Sequence, residues 1–193
     1  MLLRDVPAAL PRGLSALLPH GSADRVDANV LIGGYLAASD PDFVRREGIT
    51  RIVKMTGDDA GYHHHRGVTY FVFPALDAPD YDIRGDAVAA VQAVVAGLGA
   101  GEQILVHCHA GVSRSATVVL LYLMAVRGRS LDAALAHLRR VRPVVAPNDG
   151  FMSTLRAADA SLRRLRRLRG CGYGSGSGSG SGSGPTHIFR IAG

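Results

Sequence analysis

The chain predicts an α/β fold in which a central mixed, mostly parallel sheet is flanked by helices on both faces. Three observations lead there. Short apolar runs that read as strands alternate with longer segments of helical apolar spacing. Gly, Pro, Asn and Asp punctuate the joins between them. One strand-like run, Gln103-Ile104-Leu105-Val106, passes through a glycine-containing loop into a long apolar helix. Open α/β sheets place their ligands at the carboxyl ends of strands in this way. With 193 residues and a hydrophobic share of 47%, one domain with a proper core is expected.

Residues 1–24 are an N-terminal extension, amphipathic over Val6 to Leu10 and Leu14 to Leu18 and broken by Pro7, Pro11 and Pro19. It is expected to dock on the domain or to pair with a second subunit. Residues 25–170 carry the folded domain. Strands are predicted at about 26–33, 51–55, 68–73 and 103–107, and helices at 40–47, 84–98, 114–127, 131–141 and 150–168. His63-His64-His65 lies between Gly61 and Gly67, in a predicted exposed turn. Consecutive residues there point in different directions, so no metal site is expected. Residues 171–184 form a linker in which Gly174 to Gly184 alternates Gly and Ser strictly, the composition of a flexible coil. It leads to a C-terminal peptide, 185–193, whose Ile188, Phe189 and Ile191 suit a groove on the domain or on a neighbouring copy. An engineered linker bearing a peptide and a natural low-complexity tail with a docking motif both remain open.

The segment His107-Cys108-His109-Ala110-Gly111-Val112-Ser113-Arg114-Ser115 concentrates the chemistry. A loop curling into a helix N-terminus aims backbone N–H groups at one spot, with the helix dipole behind them. The backbone of His109, Ala110, Gly111, Val112 and Ser113 is the candidate cradle, and Gly111 suits a tight turn close to a ligand. Arg114 can reach two phosphate oxygens through its planar fork. The same positive surroundings lower the pKa of Cys108 and favour a nucleophilic thiolate. The Ser115 hydroxyl is placed to stabilise that thiolate when it leaves. A buried structural cysteine is the plainer alternative, and the strand–loop–helix context argues against it. An alkoxide leaving group also needs a proton, which a carboxylic acid on a loop can supply. Asp77, Asp80 and Asp82 are candidates. Asp80 after Pro79 also reads as a turn residue, and Asp82 as an acid near a helix N-terminus.

The signature Cys-x5-Arg-Ser resembles that of the cysteine-dependent protein phosphatases, and the stretch 107–155 is similar to their dual-specificity branch. Pro147-Asn148 followed by Gly150-Phe151 recurs there at the start of the last helix. The resemblance runs from about Arg25 to Arg169 and implies a protein-tyrosine-phosphatase-like fold and a small, atypical member. It assigns the nucleophile to Cys108, the phosphate fork to Arg114 and the general acid to Asp77. His107 would fix the loop, and Asn148 would sit beside it, with helix capping as an equal reading. The chemistry implied needs no metal or other cofactor. It implies hydrolysis of phosphotyrosine and phosphoserine or phosphothreonine in a phosphorylated protein through a cysteinyl-phosphate. The same loop also serves RNA 5′-triphosphatases and phosphoinositide phosphatases, and a non-catalytic phosphate-binding module is the third class. His109 and Val112 stand where phosphoinositide enzymes tend to carry lysine, which favours protein substrates. Compact relatives exist in viruses, and some carry an extra N-terminal helix, so a viral source fits as well.

The net charge is +6, carried almost wholly by arginine, since Lys54 is the only lysine. Arg139, Arg140 and Arg142 lie near the pocket side by sequence, and Arg156, Arg163, Arg164, Arg166, Arg167 and Arg169 stud the last helix. An anionic partner, an acidic phosphoprotein or nucleic acid, is one reading; solvated helix faces are the simpler one. No aromatic residues interleave those from Arg156 to Arg169, which argues against a nucleic-acid stacking platform. No apolar run is long enough to span a membrane, and Met1 to Asp5 lacks the basic start of a secretory signal. The two cysteines, Cys108 and Cys171, have no obvious pairing, which suits a reducing, intracellular setting, cytoplasmic or nuclear.

Overall fold

The computed structural model describes residues 22–57 and 64–170. Residues 1–21, His63, Cys171, the linker and the C-terminal peptide lie outside the described residues, with the expectations attached to them. Five strands, β1 (Ala23–Arg25), β2 (Val30–Gly33), β3 (Ile49–Lys54), β4 (Thr69–Val72) and β5 (Gln103–His107), form one sheet in the order β1-β2-β5-β3-β4. Only β1 pairs antiparallel; the other three pairings are parallel.

The sheet is buried on both sides, and the period of two along each strand sorts its side chains between two cores. Val30, Ile32, Val53, Ile104 and Val106 face the larger core, built with α3 (Arg84–Gly99), α4 (Arg114–Ala125), α5 (Leu131–Val141) and α6 (Asp149–Gly170). Leu31, Ile52 and Leu105 face the smaller one, closed by α1 (Tyr35–Ser39) and α2 (Pro41–Arg46) through Ala38 and Val44. β5 lies at the centre, between β2 and β3. Its carboxyl end is therefore the best-supported point at which to mount a loop. No helix among the described residues is long and apolar enough to cross a membrane.

Two short elements, β1 and α1, were not predicted. The strand expected at 26–33 begins only at Val30, as β2, because Asp27 Oδ1 accepts the amides of Asn29 and Val30 and turns the chain between β1 and β2. The helix expected at 40–47 is α2, which α1 precedes as a separate element. Pro41 cannot continue a helix from before it, and Asp40 caps the new start by accepting the amides of Asp42 and Phe43. The histidine run serves structure: His64 stacks on Tyr70, and the His65 Nε2 lies 2.8 Å from the Ala38 carbonyl. No cluster of three or more potential metal ligands occurs among the described residues.

α4 is buried along most of its length, which makes the loop before it sensitive to core packing. Leu120→Ala, at a fully buried position, should cost about 2–5 kcal/mol, measured as a lower urea midpoint with an unchanged slope.

Candidate active site

β5 ends at His107, and the next residue, Cys108, is only 1% exposed. The chain then makes a tight loop and enters α4 at Arg114. Gly111 is the residue that permits it. Its φ is +71°, and a Cβ there would lie 2.6 Å from the Gly33 carbonyl oxygen. The thiol sits inside the curl: Cys108 Sγ is 3.3 Å from Ser115 Oγ and accepts the Gly111 amide at 3.3 Å. Burial pushes this thiol up. The Ser115 hydroxyl and amide, the Arg114 charge and the Gly111 amide together outweigh burial, so the pKa lies below its ordinary value.

The loop's carbonyls point away from the sulfur and are taken by outside donors. The His109 carbonyl accepts the Tyr35 amide at 2.8 Å, and the Val112 carbonyl accepts the Ala146 amide at 3.0 Å. The Cys108 carbonyl lies 3.2 Å from His107 Nδ1, which must carry the proton because a carbonyl only accepts. Burial pushes His107 down to about 4, helped by the nearby Lys54 charge and opposed by the bond to Cys108. The ring is thus neutral at pH 7 and keeps that tautomer.

Arg114 donates through one terminal nitrogen to the Ala75 carbonyl at 3.2 Å, and its Nε lies 3.4 Å from Asp77 Oδ2. That Nε is buried and has no hydrogen-bond acceptor among the described residues, so it remains free to bond an oxyanion. Asp77 is held across the loop from α4. Its Oδ1 accepts the Ser113 hydroxyl at 2.7 Å and the Asn148 side-chain amide at 3.0 Å. Asn148 also caps α6, since its Oδ1 accepts the Phe151 amide, so both readings of this residue hold at once. The acid loop touches α6 directly at Gly150, where a Cβ would fall 1.8 Å from the Pro79 carbonyl oxygen.

Of the predicted residues, the fold gathers Cys108, Arg114, Ser115, Asp77, Ser113, His107 and Asn148 into one site. Asp80 is exposed on a turn. Asp82 binds the Arg84 side chain and amide, which hold it down to about 2, far from a proton donor's range. His109 is exposed at the rim and stacks with Tyr35, ring centroids 6.2 Å apart. Tyr35, which braces the loop through its amide, escaped the sequence reading, whereas Ser113, expected in the backbone cradle, also bridges to Asp77 through its hydroxyl. Arg142, read as part of a solvated face, is 1% exposed and lies behind the loop. The sequence placed it near the pocket side, and its position just before Pro143 marks where the helical face of α5 ends.

A loop curled over a buried cysteine, at the junction of a central strand and a helix, defines a cysteine-dependent phosphatase-like site. The family model for "Dual specificity phosphatase, catalytic domain" matches residues 30–161. The chain belongs to the dual-specificity phosphatase catalytic-domain family. Among curated relatives, human dual specificity phosphatase 28 is 34% identical, with 76% of this chain and 82% of that protein aligned. Rat dual specificity protein phosphatase 12 is 31% identical over 72% of this chain, which spans only 42% of that longer protein. The crystal structure of human phosphatase 28 superposes with a TM-score of 0.69 at 33% identity, covering 73% of this chain and 95% of that one. A mouse putative dual specificity phosphatase complexed with zinc tungstate gives 0.69 at 31% identity, covering 86% and 97%.

Two outcomes follow from this geometry. Removing the donor in Ser115→Ala should move the pH midpoint of Cys108 alkylation upward, because the thiolate loses a partner. The iodoacetamide rate at pH 6 should fall about tenfold, the worth of one hydrogen bond to a charged group. Gly150→Ala should displace the Pro79–Asp77 backbone and lower kcat about a hundredfold, while the alkylation profile of Cys108 stays that of the wild type.

Proposed function

We propose that this chain is a protein phosphatase of dual specificity, hydrolysing phosphotyrosine, phosphoserine and phosphothreonine. The observation that carries the reading is the convergence of a thiol held below its ordinary pKa, a guanidinium with a buried donor to spare, and a loop carboxyl on one cradle. Cys108 Sγ attacks phosphorus, and the phosphoester P–O bond breaks. Asp77 passes its proton from Oδ2 to the leaving oxygen, since Oδ1 is occupied by Ser113 and Asn148. Arg114 and the loop amides bind the three equatorial oxygens. Water then attacks the cysteinyl-phosphate and gives a proton to Asp77. The S–P bond breaks, inorganic phosphate leaves, and the Ser115 hydroxyl steadies the departing thiolate.

The relatives named as dual specificity phosphatases support the substrate class, as does a loop with His109 and Val112 rather than lysines at its variable positions. An intracellular location belongs to the same reading, since a thiolate nucleophile requires a reducing compartment. The amphipathic pattern of residues 1–24 supports docking or dimerisation, and that of 185–193 supports seating on the domain or a neighbouring copy. Sedimentation of the full chain against versions lacking each segment tests both.

Phosphate release should be measured from a peptide carrying phosphothreonine and phosphotyrosine. The wild type should release both; Cys108→Ser should release neither, and Asp77→Asn should act about 10²–10⁴ times more slowly. Release from phosphotyrosine alone would restrict the class. No release from either, with activity on 5′-triphosphorylated RNA or a phosphoinositide, would replace it. Phosphopeptide binding without turnover by any form would make the chain a binding module.

A further inference from the structure

Arg142 is a buried cation beside the loop, 1% exposed, yet it touches none of the atoms that would react. It caps the end of α5 in an extended conformation and runs beneath the loop. Its Nε donates to the Gly111 carbonyl at 2.8 Å, and one terminal nitrogen donates to the Ala110 carbonyl at 3.0 Å. The other terminal nitrogen donates to Asp24 Oδ2 at 2.6 Å and to the Ser22 carbonyl at 3.3 Å. The guanidinium is therefore locked on one edge by β1 and offers its other edge to two consecutive peptide groups. The packing is close: a Cβ on Gly111 would lie 2.8 Å from an Arg142 nitrogen.

The peptides here are trans, and across a trans peptide the carbonyl and the following N–H point in opposite directions. A donor that draws the carbonyls of Ala110 and Gly111 to the back of the loop must turn the amides of Gly111 and Val112 to the front. The Gly111 amide does face the front, where it donates to Cys108 Sγ. We propose that Arg142 is a positioning residue for the anion cradle, orienting two of the loop's N–H donors toward Cys108 and any oxyanion bound above it, with Asp24 holding its guanidinium in register. Planarity is what the role needs. The fork spans two adjacent carbonyls at once, whereas a lysine ammonium is a single point.

The proposal rests on the phosphatase reading only in taking the oxyanion to be a phosphoester. Its test uses the full chain and three variants, Arg142→Gln, Arg142→Lys and Asp24→Asn. Two quantities are read for each folded protein: affinity for inorganic tungstate by calorimetry, and the pH midpoint of Cys108 alkylation by iodoacetamide, located by peptide mapping. Arg142→Gln should weaken tungstate at least about tenfold and move the midpoint upward. Arg142→Lys should fall between it and the wild type, and Asp24→Asn should shift both readings the same way by less. A lower melting temperature alone would follow from any loss of buried hydrogen bonds, so it is not the readout. Folded Arg142→Gln with wild-type tungstate affinity and midpoint would overturn the proposal. If that variant does not fold, the same result for Arg142→Lys and Asp24→Asn would overturn it. Tungstate binding by a wild type that hydrolyses no phosphoester would sink the phosphatase reading and leave the positioning role standing; a wild type that binds no tungstate would sink both.

Discussion

A loop can aim its N–H groups at one point only if something accepts the opposite task of holding its carbonyls, because each peptide plane carries the two in opposite directions. From Cys108 to Val112 every carbonyl has such a donor: His107 Nδ1, the Tyr35 amide, two nitrogens of Arg142 and the Ala146 amide. These donors come from the end of β5, the start of α1, the end of α5 and the segment leading to α6. Besides His107, which directly precedes the loop, two parts of the chain far from it in sequence, Tyr35 and the segment from Arg142 to Ala146, converge on it for this reason. A buried polar group left without a partner costs about 1–3 kcal/mol, so the fold and the shape of the loop reinforce each other.

The electrostatics of the thiol depend on the same frame. Burial alone would keep Cys108 protonated and inert. What reverses that outcome is a set of donors fixed before any ligand arrives: the Ser115 hydroxyl, the Gly111 amide and the charge of Arg114. The carboxyl half of the site is tied to this frame through Ser113. Its hydroxyl donates to Asp77 while accepting the Asn148 amide. Asn148 in turn caps α6 and binds the same carboxylate, and Gly150 lets the acid loop lie against the helix start. Nucleophile loop, acid loop and last helix therefore share one hydrogen-bonded core.

Much of this was legible in the residues. The periods of strand and helix located β3 to β5 and α3 to α6 within a few positions, most firmly where a segment is long or buried, as in β3, α3 and α4. The misses fell beside short-range turn chemistry: β1 ends before the turn at Asp27 to Asn29, and α1 ends before Asp40-Pro41. In both places an aspartate side chain competes for backbone amides. Arginines were the harder case. Arg163 is exposed, as its pattern suggests, and pairs with the buried Asp159 four residues earlier. Arg142 belongs to a run with the same composition and is buried instead, because its partners stand more than 30 positions away at Ala110 and Gly111 and 118 away at Asp24.

The sequence by itself determined the class of fold, the nucleophile loop and the set of carboxylates from which an acid must come. Those rest on local rules: periodicity, the strand–loop–helix join, and the spacing of Cys108, Gly111, Arg114 and Ser115. Tertiary structure decided which carboxylate reaches the cradle, that Asn148 both caps and binds, and that Arg142 lies behind the loop rather than in water. Each of these turns on a contact between residues tens of positions apart. Spacing along the chain carries no record of such contacts until the sheet and helices close around them.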